Sequence, residues 1–360
     1  MRIILTGGGT IGSVSPLLAV REKIIEQKIE AEFIWIGTEH GLEREILAQE
    51  DISFFAIKSG KWRRYFSAQN FFDIFRFIVG FFQAIKIIRT FKPDLILSAG
   101  SFVSVPVVLA GALFHVRIIV HQQDLKIGLA NRLSATFATR ITVAFDESLK
   151  YFPAAKTVLT GNPVRSRVAT GDKESAVKYF GLEIGLPTLL VMGGSLGAEA
   201  VNKLLFAGIT RLIEFCQIIH IVGRGNLVDW TDRDKFGVLA TRYHSYEYMF
   251  EKLNMAYAAA DLVVCRAGLS TLTELSFIGK PTILIPIPNN QQGENARYFD
   301  SKNAVVVMDE SEENQGKFVD TIKNLLSDAG SLRRLSDNMK RAMEQNANDK
   351  YLTLIMEQAL

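Results

Sequence analysis

Three glycine-containing turns, each following a short apolar run, are the parts of this sequence best suited to hold an anion. They read GGGTIG at residues 7–12, GGSLGA at 193–198 and RAGLST at 266–271. Glycine lets the backbone turn tightly and approach a ligand, and the helix expected after each turn points free N–H groups and its positive dipole end outward. One such turn can serve structure alone. Three of them, distributed over both halves of the chain, favour an anionic ligand held between two domains.

The same turns argue against two common classes of nucleotide-binding enzyme. The first turn lacks the correctly spaced third glycine of the dinucleotide fingerprint, and no clear ribose-binding acid follows the second predicted strand. The GxxxxGK[ST] phosphate-binding loop is absent from the sequence as well. A nucleotide-dependent oxidoreductase and a P-loop kinase are therefore disfavoured.

A carboxylate and a group of amides lie just beyond the third turn. Glu274 follows Thr271 by three residues, which fits either a capping box or a carboxylate that accepts hydrogen bonds from a ribose. The stretch QQGEN at residues 291–295 could contact sugar hydroxyls at the end of a strand or could form a solvated loop. The spacing alone leaves both pairs of interpretations open.

The elements that would position these residues alternate between β-branched runs and helical segments, which indicates parallel α/β sheets. Strands are predicted at residues 2–6, 33–37, 53–57, 94–98, 117–121 and 141–145, and again at 188–192, 217–222, 261–265, 282–286 and 304–308. The polar segment 166–185 predicts a connection with one short helix. We expect two doubly wound, Rossmann-like domains that face a central cleft, with ligands at the carboxyl ends of the strands.

The composition indicates a globular chain long enough for two cores. Of the 360 residues, 48% are hydrophobic and 22% are charged, and a net charge of +3 without a clustered basic stripe does not indicate nucleic-acid binding. Cys216 and Cys265 are far apart and lie in or beside apolar runs, which indicates buried thiols in a reducing compartment. No secretory signal pattern is visible at the amino terminus, so we expect a cytoplasmic protein.

One predicted helix, residues 71–88, is rich in phenylalanine. Asp73, Arg76, Gly80 and Gln83 recur at helical spacing and form a narrow polar stripe beside a wide apolar face. The preceding segment, KWRRYF at 61–66, adds three cations and three aromatic side chains. These features favour shallow insertion into an anionic bilayer surface over a membrane span. The alternative is a core helix packed on the sheet after a solvated loop.

Seven segments in register resemble the MurG family of bacterial peptidoglycan glycosyltransferases, over almost the whole chain. They are GGTIGSVSP (8–16), SAGSFVSVP (98–106), HQQDLKIGLANR (121–132), GNPVR (161–165), GGSLGA (193–198), CRAGLSTLTE (265–274) and QQGENA (291–296). The resemblance implies the two-domain GT-B fold and an inverting displacement without metal or cofactor. It also implies transfer of N-acetylglucosamine from UDP-N-acetylglucosamine to undecaprenyl-pyrophosphoryl-N-acetylmuramoyl-pentapeptide (lipid I), which gives lipid II in peptidoglycan synthesis.

For the donor, the resemblance implies a site built largely on a carboxyl-terminal domain of residues 164–344. Glu274 would bind the ribose, Arg165 would pair with the phosphates, and Gln291 would contact the transferred sugar. The full set of predicted donor-binding residues is Thr10, Ile11, Gly12, Asp124, Arg165, Ser195, Leu269, Ser270, Thr271, Leu272, Thr273, Glu274, Gln291, Gln292 and Asn295.

The amino-terminal domain, residues 1–163 with a last helix at 345–360 packed back on it, would bind the acceptor and the membrane. The residues predicted to face the acceptor's pyrophosphate are Gly9, Gly12, Ser101 and Ser104. Those predicted to contact an anionic membrane surface are Trp62, Arg63, Arg64, Phe71, Phe75, Ile78 and Phe82. The resemblance thus implies a peripheral protein on the cytoplasmic face of the plasma membrane.

Two departures from the family pattern bear on the catalytic base. The family's GGTGGH has Ile11 and Ser13 here in place of a glycine and the histidine, and HEQN reads HQQD, which makes residue 124 an acid. An inverting transfer needs a base for the attacking hydroxyl, and serine has no suitable pKa. We hypothesise that Asp124 is the base. The alternative is that Asp124 only binds the donor sugar and that the base lies elsewhere.

Two other functions stay open on the sequence. One is a related GT-B transferase that acts on another lipid or natural-product acceptor. The other is a catalytically weakened nucleotide-sugar-binding protein. The first rests on the altered positions Ser13 and Asp124, and the second rests on the missing histidine at position 13.

Overall fold

The computed structural model describes residues 1–9, 11–41, 43–60, 69–193, 198–227, 233–249, 251–311 and 314–359. The chain forms two compact units, Met1–Arg165 together with Glu344–Leu360, and Ser166–Met343. We call these the amino-terminal and carboxyl-terminal domains. Each contains one parallel sheet with helices, so the predicted class of two doubly wound α/β domains is confirmed.

The described strands of the amino-terminal domain form one seven-stranded parallel sheet. They are β1 (Arg2–Thr6), β2 (Glu32–Thr38), β3 (Ser53–Ile57), β4 (Leu95–Ser98), β5 (Arg117–Gln122), β6 (Arg140–Val143) and β7 (Thr157–Leu159). Their order across the sheet is β3-β2-β1-β4-β5-β6-β7. Ile4 of β1 pairs with Ile34 of β2 on one side and with Ile96 of β4 on the other. The order reverses between β1 and β4, which is where ligands bind in doubly wound sheets.

Helices cover this sheet. They are α1 (Ser15–Glu26), α2 (Glu43–Leu47), α3 (Gln69–Phe91), α4 (Ser104–Leu113), α5 (Leu129–Phe137) and, at the end of the chain, α13 (Ala347–Ala359). Buried isoleucines of the strands pack against Ala84 and Ile88 of α3 and Val107 of α4 in one core. The last helix belongs to this domain and lies against α1, where Lys23 Nζ is 2.7 Å from Asp349 Oδ1.

The described strands of the carboxyl-terminal domain form a six-stranded parallel sheet with the same kind of order. They are β8 (Thr188–Met192), β9 (Gln217–Ile221), β10 (Tyr243–Tyr246), β11 (Leu262–Cys265), β12 (Thr282–Leu284) and β13 (Val306–Val307), arranged β10-β9-β8-β11-β12-β13. The helices are α6 (Lys173–Phe180), α7 (Glu199–Leu212), α8 (Leu253–Ala259), α9 (Leu269–Ile278), α10 (Gln292–Ser301), α11 (Asn314–Ser327) and α12 (Ala329–Arg341). Here the order reverses between β8 and β11, so the second and third glycine turns follow the two strands at that point.

The predicted strands are all present, but two further strands were not predicted. β7 and β10 lie at the edges of their sheets, where a strand has only one neighbour. β10 reads YHSY and is only partly buried, so it lacks the apolar run that marks a central strand. The predicted short helix in segment 166–185 is α6. Asp172 caps it by accepting a hydrogen bond from the Ser175 N–H at 2.8 Å.

The phenylalanine-rich helix α3 turns Asp73, Gly80 and Gln83 of its polar stripe toward the protein, while Arg76 is exposed beside Asp73. Asp73 is buried, and the Gln83 side-chain carbonyl accepts the Lys58 N–H at 2.8 Å. Gly80 lies so close to this strand end that a Cβ there would stand 1.9 Å from the Lys58 carbonyl oxygen. The opposite face leaves apolar side chains 39–64% exposed, namely Ile74, Phe75, Ile78, Val79 and Phe82. Within the described residues, no helix combines the length and apolar character needed to cross a bilayer.

Candidate functional site

The carbonyl groups of the first glycine turn are held from inside the protein. The indole Nε1 of Trp35 donates to the Gly7 carbonyl at 2.9 Å, and the Ser13 hydroxyl donates to the Gly8 carbonyl at 3.1 Å. Both side chains are buried. Ser13, at the position of the family histidine, therefore braces the turn.

A buried carboxylate holds the same turn through its last glycine. Glu43 is fully buried at the start of α2 and accepts the Gly9 N–H at 2.9 Å and the Thr38 N–H at 2.8 Å. The Thr38 hydroxyl also donates to it. A Cβ on Gly8 would lie 2.3 Å from the Glu43 carboxylate, so only glycine leaves room for this arrangement. Glu43 was not among the residues predicted from the sequence. The one sequence feature that could have indicated it is an acidic residue soon after the second strand.

The predicted acceptor-binding residues lie at neighbouring strand ends, after β1 and β4. Gly9 has its N–H engaged by Glu43, and Gly12 lies in a short 3-10 turn at Ile11–Ser13. Ser101 adopts a left-handed backbone with φ of 78°, a conformation that costs energy for a non-glycine residue and clusters at functional sites. The Ser104 hydroxyl is directed into the loop, where it donates to the Ser101 carbonyl at 2.7 Å. Thr10 and the side chain of Ile11 lie outside the described residues.

His121, at the end of β5, is a buried structural residue. Its Nδ1 is 2.9 Å from the Thr142 hydroxyl and its Nε2 is 2.8 Å from Asn162 Oδ1. Burial lowers the pKa of this imidazole to about 4. The ring is therefore neutral at physiological pH and ties β5 to the segment GNP at 161–163.

Gln122 shapes the loop that carries Asp124. Its amide Nε2 donates to the carbonyls of Asp124 at 2.7 Å and Lys126 at 3.0 Å, while its oxygen accepts from Asn131 Nδ2 at 2.8 Å. A carboxylate could still accept the hydrogen bond from Asn131, but it could donate neither of the first two. The amide that replaces the family's acid at this position is therefore matched to the loop of this chain.

Asp124 follows β5 and presents a carboxylate in a partly buried position. No hydrogen bond to this carboxylate comes from the residues that the structure describes. Burial raises the pKa of the Asp124 carboxyl to about 6. At pH 7 most molecules thus carry an ionised carboxylate that is a stronger base than an ordinary aspartate.

In the carboxyl-terminal domain, Glu274 does not form a capping box. α9 begins at Leu269 with Gly268 at its N-cap, so Glu274 lies more than a turn inside the helix. Its carboxylate accepts a hydrogen bond from the Tyr257 hydroxyl at 2.8 Å. Burial and the nearby Glu274 charge raise the pKa of Tyr257 well above its ordinary value, so the phenol remains a donor. Sequence reasoning missed Tyr257, which lies on α8.

The six predicted residues at the start of α9 differ in how deeply they are buried. Leu269, Leu272 and Thr273 are buried, and the Thr273 hydroxyl donates to the Leu269 carbonyl at 2.8 Å. Ser270, Thr271 and Glu274 are half-buried. The Ser270 hydroxyl oxygen is itself buried and finds no hydrogen-bond partner within the described part of the chain. Ser270 and Glu274 are four residues apart and therefore share a helix face.

The predicted sugar-binding amides at the start of α10 have different surroundings. Gln291 is exposed, and Gln292 Oε1 accepts the Ile287 N–H at 3.2 Å. Asn295 is buried, and its Nδ2 donates to the Ala267 carbonyl at 3.1 Å, which fastens α10 to the third glycine turn. Gln291 is thus the amide most accessible to a ligand. Ser195, in the second turn, lies outside the described residues.

Arg165 lies at the end of the amino-terminal domain's main segment, with two acidic partners. Its guanidinium is hydrogen-bonded to Glu50 and lies 3.6 Å from Glu22 Oε2. The side chain is only 10% exposed. A donor phosphate, as predicted for this residue, would have to compete with these two carboxylates.

Neither the cysteines nor the acidic side chains build a metal centre in the described part of the chain. Cys216 and Cys265 are free and buried, and burial raises the pKa of each thiol to about 12. No group of three or more His, Cys, Asp and Glu side chains among the described residues could hold a metal ion.

Comparison with known proteins identifies both halves of the chain. Residues 3–143 match the glycosyltransferase family 28 N-terminal domain, and residues 188–351 match the glycosyltransferase family 28 C-terminal domain. The UDP-N-acetylglucosamine–N-acetylmuramyl-(pentapeptide) pyrophosphoryl-undecaprenol N-acetylglucosamine transferase of Clostridium kluyveri is 38% identical over 359 residues and covers 98% of each chain. The Clostridium tetani protein of the same name is 36% identical, over 98% of this chain and 97% of its own. The crystal structure of Acinetobacter baumannii MurG superimposes with a TM-score of 0.71 at 23% identity, over 99% of both chains.

Proposed function

Because this chain belongs to glycosyltransferase family 28, we propose that it transfers N-acetylglucosamine from UDP-N-acetylglucosamine to lipid I, which yields lipid II in peptidoglycan synthesis. The carboxyl-terminal domain binds the donor, and the amino-terminal domain binds the acceptor and the membrane. The attacking hydroxyl of the acceptor forms a bond to the anomeric carbon of the sugar. The bond from that carbon to the diphosphate breaks, and UDP leaves with the electron pair.

The arrangement at the start of α9 is the observation that carries the donor assignment. Ser270 offers a buried hydroxyl without a partner among the described residues, beside the backbone N–H groups of the first helical turn. These groups suit a diphosphate, because the amino end of a helix attracts negative charge. One turn further, Tyr257 donates to the Glu274 carboxylate and orients it, and a carboxylate is a suitable acceptor for the hydroxyls of a ribose.

Asp124 supplies the base in this proposal. Its partly buried carboxylate takes the proton of the attacking hydroxyl as the sugar-phosphate bond breaks. Burial raises the pKa of Asp124 to about 6, which makes it a better proton acceptor near neutral pH than an exposed aspartate. Gln122 holds the loop through the carbonyls of Asp124 and Lys126, and so fixes the approach of the base.

The exposed apolar face of α3 attaches the protein to the membrane surface in this proposal. Phe75 and Phe82 are 59% and 64% exposed, and Ile78 lies between them on the helix at 44%. Apolar side chains on one face of a helix suit shallow insertion at a bilayer interface. Phe71 lies near the start of the same helix, and Trp62, Arg63 and Arg64 precede it. The side chains of these four residues lie outside the described set.

The decisive experiment is transfer of radiolabelled N-acetylglucosamine from its UDP donor to a short-chain lipid I analogue. We expect a radiolabelled disaccharide product of inverted configuration. We also expect a Glu274→Ala variant to raise the KM for the donor while the KM for the acceptor stays near wild type. Turnover only with other lipid acceptors would replace this function with that of a related transferase. Donor binding without turnover on any acceptor would indicate a binding protein instead.

A further inference from the structure

Glu43 is a fully buried carboxylate of the amino-terminal domain that has no role in the proposed reaction. It accepts hydrogen bonds from two backbone N–H groups and from the Thr38 hydroxyl. Burial of such a group costs free energy unless hydrogen bonds compensate for the lost water, so these three contacts are needed to keep Glu43 buried.

Glu43 joins Gly9 of the glycine turn to the end of β2, beyond the contact that Trp35 of β2 makes with Gly7. The Gly9 N–H belongs to the turn after β1, and both Thr38 groups belong to the end of β2. Gly9 has a φ of 81°, so its orientation depends on outside contacts rather than on regular structure. The close fit of Gly8 over the carboxylate leaves the turn little freedom to shift. Glu43 thus holds the Gly9 end of the turn, while Trp35 and Ser13 hold the carbonyls of Gly7 and Gly8.

That turn stands at the reversal of strand order, beside the Ser101 loop that follows β4. We propose that Glu43 is a positioning residue for the acceptor: it fixes the first glycine turn in the geometry that aligns the acceptor's reacting hydroxyl. The inference rests on the proposed function, because it assigns the turn to the acceptor. Glu43 itself touches no substrate. Its loss therefore reduces catalysis on the acceptor and leaves the binding of the donor unchanged.

The test compares Glu43→Ala with Glu43→Gln. The alanine variant removes the acceptor of all three hydrogen bonds, whereas glutamine keeps one side-chain oxygen that can accept the Gly9 N–H. Misplacement of a reacting group by about 1 Å costs roughly 100-fold in rate. We therefore expect Glu43→Ala to lower kcat/KM for the lipid I analogue about 100-fold, and Glu43→Gln to recover most of that loss. The Kd for UDP-N-acetylglucosamine, measured by calorimetry without acceptor, stays at the wild-type value for both.

Gln217→Ala provides the matched control for a purely structural effect. Gln217 is buried, and its amide donates to the Glu183 and Leu186 carbonyls and to the Thr188 hydroxyl at 3.0–3.1 Å. It fastens the amino-terminal ends of the strands in the other domain, away from the ends that carry the glycine turns. We expect this variant to lower the melting temperature, as Glu43→Ala does, while kcat/KM for the acceptor stays near wild type.

Three results would overturn the inference: an acceptor kcat/KM for Glu43→Ala as high as that of Gln217→Ala, a glutamine variant no better than alanine, or equal loss of donor binding. Should Glu43→Ala fail to fold, Thr38→Val removes one donor to the same carboxylate. It should then lower acceptor kcat/KM with unchanged donor Kd. A wild-type protein inactive on lipid I analogues would overturn the proposed function and this inference together. An active wild type with an equally active Glu43→Ala would overturn the inference alone.

Discussion

Replacement of Asp124 by asparagine is expected to stabilise the amino-terminal domain at neutral pH while it removes the catalytic base. Burial raises the pKa of this carboxyl to about 6, whereas an aspartate in the unfolded chain has an ordinary value near 3.8. The folded protein therefore binds the proton more tightly than the unfolded chain does. As the pH rises through this interval the unfolded chain ionises first, so the folded state progressively loses stability.

The size of the effect follows from the shift. A difference of about two pKa units, at 1.36 kcal/mol each, gives about 3 kcal/mol of destabilisation above pH 6. Asparagine has no charge to bury and is free of this cost. The variant should therefore exceed wild type by up to about 3 kcal/mol at pH 7.5 and by about half of that at pH 5. Below pH 4 the two proteins should be nearly equal.

Native-state hydrogen exchange in the buried strands β1 and β4 would report the free energy of unfolding of this domain alone. The comparison is made between variant and wild type at each pH from 4 to 8. Asp337→Asn, on the exposed surface of α12, is the control for the substitution itself, and surface changes of this kind stay within about 0.5 kcal/mol. Turnover on the lipid I analogue, measured on the same preparations, should fall by about 10²–10⁴-fold for Asp124→Asn.

Two outcomes would refute the reasoning separately. A stability difference that does not change with pH would mean that the Asp124 carboxyl is not held in a partly buried, proton-retaining state. Turnover of Asp124→Asn near the wild-type value would exclude Asp124 as the base, whatever the stability data show. If both expectations hold, the wild-type profile of kcat/KM should also fall below a pH of about 6, where the carboxylate takes up its proton.

Three further predictions concern other parts of the molecule. The double variant Phe75→Ser/Phe82→Ser should weaken binding to anionic vesicles about 10²–10⁴-fold in a sedimentation assay, since each buried phenylalanine contributes about 1.5–3 kcal/mol. Unchanged vesicle binding would remove α3 as the membrane contact. Turnover on a water-soluble acceptor should stay the same. Tyr257→Phe should raise the Kd for the UDP donor about fivefold, because one hydrogen bond that orients Glu274 is worth about 1 kcal/mol, and a wild-type Kd would contradict that role. Gly8→Ala should destabilise the amino-terminal domain by about 2 kcal/mol or more in urea unfolding, because its Cβ meets the Glu43 carboxylate. Gly316→Ala, on α11 with open space around it, should stabilise the protein by about 1 kcal/mol, and equal effects of the two alanines would refute the steric argument.

Much of the fold follows from local patterns in the sequence. Central strands of a doubly wound sheet are covered on both faces and therefore appear as continuous apolar runs, as in β1, β8 and β11. The strands β7 and β10 escaped prediction because their short sequences, TVL and YHSY, contain no long apolar run. In α3 the helical period was visible in the sequence, but the side of the helix that faces the protein was not. Gly80 and Gln83 of the polar stripe pack on the backbone near Lys58, which no pattern within the helix could indicate.

The residues of the candidate site also fall into two groups, those that the sequence could predict and those that only the fold reveals. The glycine turns and Glu274 are visible because their chemistry is local to the chain. Glu43 and Tyr257 act on groups 34 and 17 residues away, so only the folded chain brings them to their partners. Asp124 was noticeable in the sequence as an acid where the family has an amide, but its raised pKa depends on burial in the fold. The role of Gln122 could not be predicted either, because it depends on hydrogen bonds to two carbonyls of the loop that follows.

The return of α13 to the amino-terminal domain has a consequence for biosynthesis. The ribosome releases the carboxyl-terminal domain in one continuous stretch, whereas the first domain still lacks its final helix when translation reaches residue 343. Until then the pockets that receive Tyr351 and Ile355, both fully buried, stay open to water. At about 5–20 residues per second the wait lasts many seconds, an interval in which a chaperone or the bilayer could shield the unfinished surface. Stop codons or proteolysis near the carboxyl end would therefore damage the domain whose synthesis began first.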